Sequence, residues 1–211
     1  MNSTLVLYSN SKYSSPYVLS VYATLVEKGL PFELKTVALD GQQFGDEYAS
    51  LSLTSRVPTL VAGDFSLSES SAIVEFLEDS YPAPEFTAVL PRNREPRARA
   101  RQVMAWLRSD LGALREERPT TVIYAQKNPQ PLSASGKQAA DKLLRGASRL
   151  IDEQGNNLFG AWSVADVDLA VMLNRLVANG DPVPENIRRY VARQWERPAV
   201  KSWWERAAEH A

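Results

Sequence analysis

The sequence predicts two domains of different class, an α/β domain of β-α-β, helical segment, β-β-α order followed by an all-helical domain. Three observations carry this reading. Short β-branched and aromatic runs that suit strands occur only before residue 70. The segment 82–96 holds four prolines (Pro82, Pro84, Pro91 and Pro96) and little periodicity, as a linker would. Beyond it, apolar residues recur at helical spacing to the end of the chain. A chain of 211 residues is also long enough for two separate cores.

The elements follow in order. Residues 4–8 read as a first strand. Ser15 before Pro16 is a helix start, because the serine caps and proline tolerates the first helical position. Val18, Leu19, Tyr22, Ala23, Leu25 and Val26 continue that helix, and Lys28-Gly29 supplies its stop. Residues 32–39 form a second strand, so the first pair is parallel. A weak helix is expected over 44–53. Strands at 57–61 and 65–68 are joined through Ala62-Gly63-Asp64, a hairpin signal. Ile73, Val74, Phe76 and Leu77 then mark a helix over 70–81.

In the second domain, 97–117 reads as one long charged helix. Ala139, Leu143, Leu144, Ala147, Leu150 and Ile151 stripe the next. Residues 163–178 are apolar nearly all round and belong at the domain's centre, with Gly180 as the stop. Shorter helices are expected over 187–193 and 198–209.

Composition removes whole mechanisms. With no cysteine, neither a thiolate nucleophile nor a disulfide is available. The single histidine, His210, lies next to the C-terminus, which argues against a histidine-based triad or metal site. The net charge is −1, from 24 basic and 25 acidic residues, so no global field advertises a nucleic acid or a membrane. The opening MNSTLVLYSN has neither a basic leader nor a long apolar stretch, and a cytoplasmic location is expected. Arg92, Arg94, Arg97, Arg99, Arg101 and Arg108 form a basic run read as a solvated face or subunit interface.

Four short motifs remain. Val57-Pro58, if cis, would offer the Val57 backbone to an extended peptide, though alone it is better read as an edge-strand proline. Glu69-Ser70 opens a helix, where free N–H groups and a hydroxyl suit a carboxylate and the acid suits an ammonium; an ordinary cap is the commoner reading. Ser14-Ser15-Pro16 follows the first strand, where open α/β sheets hold functional groups, although a hydroxyl at a helix start is usually only a cap. Ser163-Val164-Ala165-Asp166 is a capping box, hence folding chemistry.

Taken in order, Ser14-Ser15-Pro16, Val57-Pro58-Thr59-Leu60, Glu69-Ser70-Ser71-Ala72-Ile73 and the box at Ser163 resemble the cytosolic glutathione transferase superfamily over nearly the whole chain. The serine-type classes, theta-like and zeta-like, are the nearest in kind, and Asp40-Gly41-Gln42-Gln43-Phe44 is similar to a zeta stretch. The resemblance implies a thioredoxin-like glutathione-binding domain at 1–82, a linker at 83–96 and an all-helical domain at 97–211. It implies that Ser15 donates its hydroxyl to the glutathione sulfur, with Ser14 and Tyr8 as alternates. Val57, ahead of a cis Pro58, would pair with the cysteinyl unit. Glu69 and Ser70 would hold the γ-glutamyl group, and Gln43 would reach the glycyl end. Ser163 and Asp166 are implied to be structural.

The partners implied are glutathione as co-substrate, no metal, a small electrophile or peroxide bound between the domains, and a second copy in a homodimer. Trp106, Ser109, Asp110 and Tyr124, together with the loop 9–13, would wall the second-substrate pocket, although Trp106 at helical spacing is better read as core. Conjugation, with glutathione-dependent peroxide reduction beside it, is the implied activity. A noncatalytic binding protein and a maleylacetoacetate-type isomerase are the alternatives. The zeta isomerases carry Ser-Ser-Cys where this chain has Pro16, which counts against the last.

Overall fold

The structure, a computed structural model, describes residues 4–124 and 126–210, without the Tyr124 side chain. The chain packs as two compact units, Met1–Val89 with Ser202–His210, and Leu90–Lys201.

The first unit is built on a four-stranded sheet of order β2-β1-β3-β4. Strand β1 (Leu5–Asn10) runs parallel to β2 (Phe32–Val37), as the connecting helix α1 (Pro16–Glu27) requires. Strand β3 (Thr59–Ala62) pairs antiparallel with β1 and with β4 (Phe65–Ser68). β3 begins at Thr59 rather than 57, because Pro58 has no N–H to give the ladder. Gly63, at φ 64°, and Asp64 close the hairpin. β1 runs two residues beyond the expected strand and so ends on Asn10. The weak segment resolves into a 3₁₀ turn (Gln42–Phe44) and α2 (Asp46–Leu51). Helix α3 (Ser70–Ser80) packs beside α1, and Leu7, Val18, Leu25, Leu60, Ile73 and Leu77 are at most 1 % exposed, so this layer is a closed core.

Buried charge ties the ends of these helices. Lys28 Nζ lies 2.8 Å from Glu78 and donates to the Tyr81 and Thr87 carbonyls, while Glu78 accepts the Val89 N–H. This strap holds 81–89 against the first unit, whereas the sequence pointed to a linker from 83. The last turns also depart from expectation. Trp203 is fully buried, with its ring 5.1 Å from Tyr22 and 5.8 Å from Tyr13, so 202–210 belongs to the first unit.

The second unit holds α4 (Arg94–Ser109), α5 (Gly112–Glu117), α6 (Thr121–Tyr124), α7 (Ala134–Ala147), α8 (Val164–Asn179), α9 (Glu185–Trp195) and the start of α10 (Pro198–Glu209). The single helix expected over 97–117 is broken. Leu111 is left-handed at φ 63°, its N–H is taken by the Asp110 carboxylate, and Arg115 caps the Leu107 and Asp110 carbonyls. Helix α8 is central as predicted, with Val164–Asp166, Leu169–Leu173 and Leu176 all buried. A reciprocal capping box of Ser163 and Asp166 opens it, and Gly180, at φ 88°, ends it.

Candidate functional site

The elements of the first unit bring most of the expected site residues to one place. A cavity of about 600 Å³ is lined by Asn10, Ser14, Ser15, Gln43, Phe44, Arg56 and Val57, among others. β1 delivers Asn10 at its end, the following loop delivers the serines, the 3₁₀ turn delivers Gln43, and the turn before β3 delivers Arg56 and Val57.

Ser15 is the N-cap of α1. Its backbone is extended, at φ −75° and ψ 118°, and its Oγ accepts the Val18 N–H at 3.3 Å. That bond uses one lone pair and leaves the hydroxyl proton free to donate. Ser14 Oγ accepts from Asn10 Nδ2 at 2.8 Å, so its proton too is uncommitted by that bond. No acidic residue lies in the first turn of α1, and the positive end of the helix is left for an anion. Gln43 keeps its Oε1 on the Gly41 N–H, which leaves its amide N–H groups as donors.

Val57 is bonded to Pro58 through a cis peptide. The Arg56 carbonyl lies within hydrogen-bonding distance of three hydroxyls, Tyr48 at 2.9 Å and Ser52 and Thr59 at 3.2 Å each, which pins this turn. Burial pushes the Tyr48 phenol above its ordinary pKa, keeping it a neutral donor. Pro58 itself is buried.

Glu69 and Ser70 are not among the lining residues but stand next to them. Ser68 pairs with Thr59 across the β3–β4 ladder, which sets the Glu69-Ser70 corner beside Val57-Pro58-Thr59. Glu69 is exposed and left-handed, at φ 74°, and Ser70 is buried at the start of α3. A non-glycine residue held at positive φ is a recurrent mark of a functional turn.

Tyr8 goes elsewhere. It packs edge-on against Tyr48, with ring centres 5.5 Å apart, in a second cavity of about 430 Å³ with Thr36 and Asp46. The strand alternation that turns Leu7 and Ser9 into the core turns Tyr8 to the opposite face.

The expected pocket wall of the second unit has other partners. A methyl on Gly146 would come within 2.6 Å of the Trp106 ring, so the indole lies tight on α7. Its Nε1 donates to Asp110, which also pairs with Lys142. The Lys142 bond, with the Leu111 N–H behind it, lowers the Asp110 carboxyl to about 2. The Ser109 hydroxyl donates to the Ala105 carbonyl, and the Tyr124 side chain lies outside the described residues. Arg108 is bound to Asp168 at 2.7 Å. Among the described residues, no group of three or more His, Asp or Glu is arranged to hold a metal. Among them, too, no helix is long and apolar enough to cross a membrane.

Sequence reasoning missed Arg56 and the part Asn10 plays, a residue it named only within the 9–13 loop as pocket wall. The signal for Arg56 was a lone cation directly before Val-Pro. Asn10 offered none, because its role depends on the loop folding back onto it.

Residues 14–80 match the family model described as the glutathione S-transferase N-terminal domain, and 93–209 match that of the C-terminal domain. A mouse glutathione S-transferase theta-3 is 29 % identical over 194 residues, covering 89 % of this chain and 76 % of that protein. A rat maleylacetoacetate isomerase is 29 % identical over 147 residues, 66 % of this chain and 65 % of that protein. Among solved structures, a glutathione transferase homologue from a Burkholderia, with bound glutathione, is 45 % identical. It superposes with a TM-score of 0.81, covering 99 % of this chain and all of that one.

Proposed function

The chain belongs to the glutathione S-transferase family, and on that premise we propose that it binds glutathione in the cavity at the start of α1 and stabilises the thiolate there for attack on a small electrophile. The observation that carries the proposal is the cap geometry of Ser15, a hydroxyl with its proton free, standing at a positively polarised helix end in a cavity. In this reading Ser15 donates to the sulfur and Ser14 is the alternate. The Val57 backbone pairs with the cysteinyl unit, Glu69 and Ser70 hold the γ-glutamyl ammonium and carboxylate, and Gln43 with Arg56 faces the glycyl end. The Burkholderia homologue's bound glutathione supports the choice of ligand.

The energetics are adequate. A thiol near its reference pKa of about 8.5 is only a few per cent ionised at neutral pH. Lowering it by about two units takes roughly 2.7 kcal/mol. A hydrogen bond to a charged acceptor supplies about 1.5–3 kcal/mol, and a helix N-terminus about 0.3–1 kcal/mol. The ligand thus brings the nucleophile, and neither cysteine nor histidine is needed from the protein. The same thiolate attacking a peroxide oxygen would give a peroxidase activity. A homodimer and a cytoplasmic location belong to the same proposal.

Steady-state turnover of wild type and Ser15→Ala, with glutathione plus either an aryl halide or cumene hydroperoxide, tests this alongside calorimetric glutathione binding. The expected result is lost turnover with binding retained in Ser15→Ala, the active second substrate naming the reaction. Unimpaired Ser15→Ala would move the role to Ser14. Binding without turnover of either substrate would leave a binding protein or an isomerase, which maleylacetoacetate as substrate then separates.

A further inference from the structure

The hydrogen bonds of the serine loop converge on one side chain that neither its residue type nor its spacing marks. Asn10 ends β1 and is 7 % exposed. Its backbone carbonyl accepts the Tyr13 N–H at 3.0 Å. Its Oδ1 accepts two further amides, from Ser14 and Ser15, at 3.2 Å each. Its Nδ2 donates to Ser14 Oγ at 2.8 Å. Five residues of chain therefore fold back onto one asparagine, with Tyr13 left-handed at φ 49° to make the return.

Resting on the proposed role of Ser15, we infer that Asn10 is the positioning residue for that hydroxyl. Ser15 lies ahead of the α1 hydrogen-bond ladder, so its N–H has no helical acceptor. Asn10 Oδ1 supplies one. Ser15 is then held at two points, its N–H by Asn10 and its Oγ by the Val18 N–H, and little freedom remains to the Cα–Cβ bond between them. A hydroxyl that must meet a thiolate sulfur gains from this fixing, because small misplacements weaken a charge-assisted hydrogen bond. The carboxamide oxygen is the operative atom. The Nδ2 bond to Ser14 is secondary, since it leaves Ser15 untouched.

The surrounding charged and titratable groups are few. Lys12 and Tyr13 belong to the loop itself, Tyr17 lies on α1, and Arg56 lines the cavity from the turn before β3. From α10, the Arg206 guanidinium lies 5.4 Å from the Tyr13 ring and the His210 ring 4.9 Å from it. None of these is bound to the Asn10 side chain.

The test compares Asn10→Ala with the isosteric Asn10→Asp, which keeps an acceptor for both amides and loses the donor to Ser14. Three readouts are taken: kcat against KM for glutathione, the pKa of bound glutathione thiol by ultraviolet titration, and amide exchange at residues 14 and 15. Asn10→Ala should lower kcat on the order of tenfold. The thiol pKa should rise by about one unit, which at neutral pH accounts for roughly a threefold loss of thiolate, misplacement of the hydroxyl accounting for the rest. KM should change by less than about twofold, because the sites assigned to the γ-glutamyl and glycyl ends lie elsewhere. Amide protection at 14 and 15 should fall. Asn10→Asp should restore protection but not the thiol acidity, because its carboxylate would occupy the positive helix end that the thiolate needs. Should the alanine variant not fold, Asn10→Ser, with an acceptor one bond shorter, takes its place.

An alanine variant that acidifies the thiol as well as wild type overturns the inference, as does an Asp variant that leaves the amides at 14 and 15 as unprotected as alanine does. A wild type that binds glutathione without acidifying its thiol removes the serine reading itself, and the Asn10 role with it.

Discussion

Of the serines that cap helices in this chain, Ser163 and Ser15 have opposite fates. Ser163 opens α8 with 1 % exposure, and Asp166, three residues on, is fully buried. The Ser163 N–H and hydroxyl both go to Asp166 Oδ2, at 2.9 and 3.1 Å. Asp166 also takes the Leu158 N–H and the Tyr190 hydroxyl. Burial still pushes its carboxyl upward, against those donors. Ser15 opens α1 half-buried, beside a cavity, with no carboxylate in the first turn. The cap itself is the same physics in both. The difference lies in what occupies the positive end of the helix. A built-in anion makes a folding element; at α1 the proposed function gives the free helix end and its hydroxyl to the glutathione thiolate.

That contrast can be broken from either side. Asp166→Ala should cost about 3 kcal/mol or more in chemical unfolding, because it strands buried N–H and O–H donors, yet leave the thiol chemistry of refolded protein intact. Glu78→Ala should cost about 3–5 kcal/mol, since it leaves Lys28 as a buried unpaired charge; a much smaller loss would mean that the strap is not what holds 81–89. Ser15→Ala should reverse the pattern, losing turnover on the order of a hundredfold with a melting shift of only a few degrees. Ser163→Ala should cost about 0.5–2 kcal/mol with turnover per folded molecule unchanged.

The smallest effect is in acid. Arg118 holds the Asp181 carboxyl below its ordinary range, and Lys142 holds Asp110 at about 2. A lowered folded pKa contributes stability above the unfolded value of about 3.9, lost as pH falls through the folded one. Unfolding free energy should therefore decline as pH falls below about 4, and Asp181→Asn should flatten part of that slope. The Asp110–Lys142 pair is too exposed to contribute much.

The two caps also mark what could be read from the chain beforehand. Ser163-x-x-Asp166 is legible because the whole motif is local and the apolar run after it has one possible place. The hairpin at Gly63-Asp64 and the helix start at Ser15-Pro16 are legible for the same reason. The break at Leu111 is not, since a leucine at positive φ is imposed by its surroundings, the Asp110 and Arg115 bonds, rather than by its own preference. Nor is the return of Trp203 to the first unit, a contact with Tyr13 and Tyr22 that spans most of the chain. Within the site, Ser15, Val57 and Gln43 are found from local motifs and resemblance. Asn10 is visible only once five residues have folded back onto it.

The most direct test of the account is the ionisation of bound glutathione, followed by ultraviolet titration on wild type and Ser15→Ala at saturating ligand. The account predicts a thiol pKa lowered by about two units on wild type and returned most of the way to about 8.5 on the variant. An equally acidic thiol on both proteins would contradict it, because the α1 cap would then be only a cap.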